Sequence, residues 1–337
     1  MKPTIAVCAS CLLMFVFMLD QRSLAQVLTL SITDTKSVPS LVAEAIASPV
    51  KCDADGNIAL RAVVFPGDLG PIVRLSANGE KAVSVRLSRD AEPRDAELID
   101  LALGRSGLFV LASSEGHSWV LRYDADGNFD RAVPIEAPIE AARLAVDANE
   151  NLVISGLTKG QSGNPGETFL GLFRDDGTLV KRLTFEQNPI SKRRVKGGSV
   201  AKAFDAALRD TVLAAGQDGN LYFLQGSTLF IATPDGKVRR MRVDPPKGSV
   251  KTKTLVTDQR GRVVIEFLEF KPDSQNGEIK SVILQVIDPR ISRAPLMTLS
   301  HANADIGPTL ACYEGETFVF VNTDGHSHLQ LVKTVAQ

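Results

Sequence analysis

Val50-Lys-Cys-Asp-Ala-Asp-Gly-Asn-Ile-Ala-Leu60 is a short apolar strand, a tight polar turn and a second apolar strand. The same form returns as Leu101-Ala-Leu-Gly-Arg-Ser-Gly-Leu-Phe-Val-Leu111 and as Leu144-Ala-Val-Asp-Ala-Asn-Glu-Asn-Leu-Val-Ile154. It comes back as Leu213-Ala-Ala-Gly-Gln-Asp-Gly-Asn-Leu-Tyr-Phe223, as Leu255-Val-Thr-Asp-Gln-Arg-Gly-Arg-Val-Val-Ile265 and as Leu310-Ala-Cys-Tyr-Glu-Gly-Glu-Thr-Phe-Val-Phe320. Self-similarity at roughly 40 to 70 residues is the spacing of stacked, blade-like units.

A second hairpin follows most copies. Its turns are Ala77-Asn-Gly-Glu80, Asp124-Ala-Asp-Gly-Asn128, Asp175-Asp-Gly-Thr178, Thr233-Pro-Asp-Gly-Lys237 and, without glycine, Asp288-Pro-Arg290. Asn-Gly and Asp-Gly supply the positive φ of a tight hairpin turn. Two hairpins make four antiparallel strands, which is one propeller blade. The sixth copy is short by a strand, since only His328–Val335 follows it. Val27-Leu-Thr-Leu-Ser-Ile32 has no partner in its own neighbourhood and is the donor expected to complete that blade. Its pairing there would remove an exposed sheet edge. The expected fold is therefore all-β: a six-bladed β-propeller of four-stranded antiparallel blades, with the ring closed by an N-terminal strand in the last blade. A seven-bladed ring is the alternative, with a degenerate hairpin hidden between Phe185 and Arg209. Pro189, Ser191-Lys-Arg-Arg-Val-Lys196 and Gly197-Gly198 favour a solvated loop there.

The repeat form and turn chemistry resemble NHL-type and related six-bladed propellers of exported bacterial proteins. The resemblance covers nearly all of residues 26–337. It implies a fold and leaves activity open, because such propellers host binding modules, scaffolds and some hydrolases.

Residues 1–25 have the form of a signal peptide. Lys2 precedes an uncharged apolar run, Ile5–Leu19, and Ser23-Leu24-Ala25 supplies small residues before a cleavage expected at Gln26. The run is shorter than the roughly 20 apolar residues of a spanning helix. Residues 26–337 are expected to be one domain, secreted or periplasmic, with no transmembrane segment. The net charge of −1 lacks the basic bias of a nucleic-acid partner. One Trp and three Tyr do not favour an aromatic sugar-binding face.

Loops between the second and third strands, and between blades, share one face and are the longer set. Binding usually resides on such loops. All four histidines lie in or beside them: His117, His301, His326 and His328. Trp119 follows closely and suits either a packed strand or a ligand platform. His326 and His328 share a side if extended, and with Asp305 or Asp324 they form a candidate zinc site. Glu97, Glu140, Asp205 and Asp305 precede or open innermost strands. The resemblance to lactonase-like propellers makes them candidate calcium ligands that would polarise an ester or lactone carbonyl. Against both metal readings, residues 26–337 contain no HxxxH, HExxH or CxxC spacing. The Asp-Gly turns place glycine fourth where an EF-hand needs it sixth, so they are hairpin turns. No phosphate loop, dinucleotide fingerprint or nucleophile elbow occurs. Lys192-Arg-Arg-Val-Lys196 suits a solvated loop or an anionic partner.

Cys52 and Cys312 take the third position of the first and last copies. Ring closure makes those blades neighbours, and a bridge over so long a loop is worth up to roughly 5 kcal/mol. Against it, equivalent side chains in a symmetric ring face the same rotational sense. A disulfide and two buried thiols both remain open at this level.

No catalytic signature stands out. The primary expectation is a non-catalytic binding or scaffold propeller for a protein, peptide or glycan, without a cofactor. The alternative is a calcium- or zinc-dependent hydrolase of lactones or esters. A sensor module would need a second domain to receive its signal.

Overall fold

In the computed structural model, residues 27–337 are described apart from 66–67, 88–92, 94, 159–166, 184–210, 249, 273–277, 293 and 325. The signal-peptide segment, Asp205, the basic run 192–196 and the possible seventh hairpin all lie outside the described residues. The described elements are all strands. No helix among the described residues is long and apolar enough to cross a membrane.

Four four-stranded antiparallel sheets follow one another. They are β2–β5 (Ala45–Cys52, Ile58–Phe65, Asp68–Leu75, Ala82–Val85) and β6–β9 (Glu97–Gly104, Gly107–Ser114, His117–Asp124, Phe129–Pro134). Next come β10–β13 (Ile139–Val146, Leu152–Thr158, Thr168–Phe173, Leu179–Arg182) and β14–β17 (Thr211–Ala215, Leu221–Gln225, Thr228–Ala232, Val238–Arg242). β18–β21 (Val250–Thr257, Val263–Phe270, Ile279–Ile287, Met297–His301) would be a fifth sheet, and β22–β24 (Leu310–Glu314, Thr317–Thr323, His328–Ala336) part of a sixth. Here the sequence expectation needs correction. These strands form a single eight-stranded sheet, because β1 (Val27–Val42) joins them.

β1 is longer than the six residues assigned to it from sequence. Val27–Thr29 pairs parallel with Thr298–Ser300 of β21. Leu30 to Val42 then pairs antiparallel with β24, from Leu30 opposite Ala336 to Val42 opposite His328. The closing strand thus completes the last unit and also ties it to the one before. Leu28 and Leu30 pack against the cluster of Leu299, Phe318, Phe320 and Val332.

The arrangement is a propeller. Six clusters of buried apolar side chains each fill the wedge between consecutive sheets or half-sheets. The first is bounded by the two ends of the chain: Val38 of β1, Ile58 and Leu60 of β3, and Leu329 and Leu331 of β24.

The hairpin turns have the expected chemistry. Asp53 Oδ1 accepts the backbone N–H of Asp55 and of Asn57, each at 2.9 Å, and Asn57 Nδ2 donates to Oδ2 at 2.8 Å. Asp124 with Asn128 and Asp147 with Asn151 repeat the pattern. Gly56 and Gly127 follow with φ of 78° and 86°, which a side chain would oppose. The aspartates are local acceptors that shape the turn.

Cys52 and Cys312 form a disulfide, with Cα atoms 5.4 Å apart. The symmetry objection fails for a local reason. β22 has a register shift between Leu310 and Cys312, so Cys312 stands opposite Val319, the tenth position of its copy. Cys52 stands opposite Ile58, the ninth position of its own. The two cysteines are one place out of structural register, and neighbouring strand positions face opposite ways.

Candidate functional site

The innermost strands β2, β6, β10, β14, β18 and β22 surround an axial cavity of about 530 Å³. Small and aliphatic residues on its wall include Ala102, Ala145, Ala214, Leu213 and Val256, with the Cys52–Cys312 bridge on one side. Turn residues Asp53–Gly56, Arg105, Asp147, Ala148 and Gln217 line it as well, so the cavity belongs to the hairpin-turn end of the ring. The long-loop face, where binding is expected from the sequence, is the opposite one.

Deeper along the axis, isolated charges knit the inner strands together. Lys51 Nζ lies 3.4 Å from Asp100 Oδ2 and donates to Leu213 O at 3.4 Å. Asp100 is 1% exposed and accepts the N–H of Leu101 at 2.9 Å and of Leu144 at 2.8 Å. Arg143 Nε donates to Thr211 O at 2.7 Å. Lys253 Nζ donates to Pro308 O and, at 2.6 Å, to Thr309 Oγ1. Glu266 Oε1 accepts the N–H of Leu310 at 3.1 Å. An inner strand has a free backbone edge, and these side chains satisfy groups on the neighbour's edge. The sequence reading missed all five. For Glu266 and Asp100 the signal is a lone charge inside an apolar run, as in Val263-Val-Ile-Glu-Phe-Leu268, since such residues are buried only with partners.

Glu266 is fully buried, its Oε2 has no partner among the described residues, and it borders a cavity of about 20 Å³. Burial pushes its carboxyl up to about 7, against a smaller opposing pull from Lys253. Burial likewise holds the Lys253 ammonium below its usual range.

The candidate residues fall apart in space. His117 opens β8 exposed, opposite Ser114. Trp119 stands opposite Ala112 and Pro134, half-buried against an apolar cluster, and so behaves as a packed strand residue. His326 is exposed. Asp324 Oδ1 accepts the backbone N–H of His326 and of His328, and His328 Nδ1 lies 3.3 Å from Oδ2. His328 thus fills the place that Asn57 takes in the first turn. Glu97 and Glu140 are exposed on β6 and β10, and Asp305 is exposed in the loop before β22. Among the described residues, no three His, Cys, Asp or Glu side chains gather as metal ligands.

His301 is 8% exposed at the end of β21, its ring edge-on to Phe320 at 5.1 Å, with the Asn303 backbone the one polar group acting on it among the described residues. Burial lowers its pKa to about 4.

These two groups give opposed pH dependences. Glu266 titrates higher in the fold than its 4.5 reference, so its stability is complete below pH 4.5 and is lost as pH rises through about 7. The amount is about 3 kcal/mol. His301 titrates below its 6.5 reference, so its stability is complete above pH 6.5 and is lost as pH falls towards 4. Glu266→Gln is expected to raise the urea midpoint at about pH 8 and to leave stability falling more steeply below pH 6.5 than in the parent. Identical parent and variant profiles would show that Glu266 does not titrate in this window.

No family model and no curated protein matches the sequence. Solved structures do match in shape. A member of the DUF4221 family from Bacteroides vulgatus aligns with a TM-score of 0.57 at 8% identity, over 93% of this chain and 99% of that one. The calcium-binding protein regucalcin from Agrobacterium tumefaciens gives 0.50 at 11%, over 93% and 98%. Virginiamycin B lyase from Staphylococcus aureus gives 0.42 at 12%, over 85% and 79%.

The shared feature is the propeller. At such identities the likeness shows the fold alone, and it is to propellers broadly, without singling out the NHL type.

Proposed function

We propose that this protein is an exported, non-catalytic binding or scaffold propeller, which recognises a protein, peptide or glycan by receiving one of its side chains or sugar units in the axial cavity. The two halves of the eight-stranded sheet then count as two blades of six. The observation that carries this reading is the cavity itself. At about 530 Å³, walled by all six inner strands, it falls in the roughly 300–1,000 Å³ range of ligand sites. The small and aliphatic residues on its wall suit an apolar body, and Lys51, Arg105, Gln217 and Gln259 offer polar contacts. Export rests on residues 1–25, and Gln26 as the first residue of the mature protein would support it.

The test is a peptide library and a glycan array probed with the purified chain and with Ala54→Trp and Ala148→Trp. Both alanines are exposed and line the cavity, so the bulky ring narrows it at little cost to the core. Binding to the parent that both variants lose, with melting temperature unchanged, is the expected result. Binding that the variants retain would place recognition elsewhere. Stoichiometric calcium or zinc in the purified protein would favour a metal-dependent hydrolase instead.

A further inference from the structure

We infer that the Cys52–Cys312 bridge is a site of thiol–disulfide exchange with low-molecular-weight thiols, which reach it through the axial cavity and attack Cys52. This goes beyond the binding reading and stands independently of it.

Three observations carry the inference. First, both cysteines line the axial cavity. Second, they are unequally covered. Cys312 is 4% exposed and belongs to an apolar cluster with Ala311, Val321 and Leu331, whereas Cys52 is only half-buried at the edge of that cluster. Access and the choice of attacked sulfur govern exchange rates, so the sulfur of the less covered residue is the electrophile. Third, the ring does not depend on the bridge to stay shut. β1 ties β21 to β24 by backbone pairing, and its Val38 packs with Ile58 and Leu60 across the same junction that the bridge spans. The bridge can therefore open within the folded chain.

The charge around the cavity is of both signs. Lys51, Arg105 and Lys333 line it, as do Asp53, Asp55, Asp147 and Glu314. Of these acids, Asp53 and Asp147 are engaged by their own turns.

The step balances without any further oxidant. The entering thiolate sulfur bonds to Cys52 Sγ, the Sγ–Sγ bond breaks, and Cys312 departs as a thiolate that takes a proton from water. A second thiolate then attacks the outer sulfur of the adduct, leaving Cys52 as a thiol and releasing the small disulfide. Alternatively, Cys312 returns to Cys52 and restores the bridge.

The test uses the full chain under native conditions with reduced glutathione, acid quenching, alkylation and peptide mass mapping. Glutathione is expected on Cys52, in about tenfold or greater excess over Cys312, with far-ultraviolet circular dichroism unchanged. A thioredoxin-type protein reductant at equal thiol concentration, too large for the cavity, is expected to act about tenfold more slowly or worse. Ala54→Trp is expected to slow glutathione but not to alter reduction in denaturant. Equal adducts on the two cysteines, reduction only after unfolding, or equal rates for the small and the protein reductant would each overturn the inference.

Discussion

Deleting residues 26–33 is expected to lower the melting temperature by on the order of 10 °C. The lost contacts are specific. Val27–Thr29 leaves β21 without its parallel partner, and Leu30–Ile32 leaves the end of β24 bare. Leu28 and Leu30 leave the apolar cluster built on Leu299 and Phe318. Two partly buried leucines at about 1–2 kcal/mol each and several backbone hydrogen bonds at about 1 kcal/mol each give at least about 5 kcal/mol. The bared strands are also expected to promote self-association as concentration rises. Calorimetry showing the parent's melting temperature in the truncated chain would mean that β1 does not hold the ring.

Asp100→Ala is expected to cost about 3–5 kcal/mol, because it strands several partners at once. Lys51 loses its counter-ion, and the N–H groups of the buried Leu101 and Leu144 lose their acceptors. Asp100→Asn keeps an acceptor and loses only the charge, so it is expected to cost less. Pairing Asp100→Ala with Lys51→Met is expected to recover part of the loss, since the ammonium that had to be neutralised is gone. Urea denaturation decides the matter. An Asp100→Ala variant within about 1 kcal/mol of the parent would show that the inner-strand charges do not stabilise the ring.

The fold was legible because the turns are chemically explicit. Asp53, Gly56 and Asn57 each do in three dimensions what their residue types suggest, and the same spelling recurs along the chain. The closing strand was legible as an orphan. Its full reach was not, because Asp34–Val42 has the mixed composition of a loop and becomes a strand only through its partner β24. The cysteine pair was ambiguous because alignment by position assumes equal register. The shift beside Ala311 that reverses the facing is a backbone event with no residue-type marker. The long-loop face drew the candidate site through its histidines, yet His326 and His328 prove to be parts of a turn and His301 a buried ring. The axial cavity left little trace, because alanines and valines that wall a hollow are spelled the same way as those that fill a core.

Thr29 and Gln337 exchange both backbone hydrogen bonds, at 3.2 and 2.9 Å, across some 300 positions of chain. Synthesis makes the first of these partners well before the second. The circle therefore keeps a gap until both segments are in place. Closing so long a span costs only a few kcal/mol more than a short one, because the entropy grows with the logarithm of length. The delay is thus one of timing more than of energy. Its consequence is a late, all-at-once completion, in which the earliest-made segment arrives last at its place.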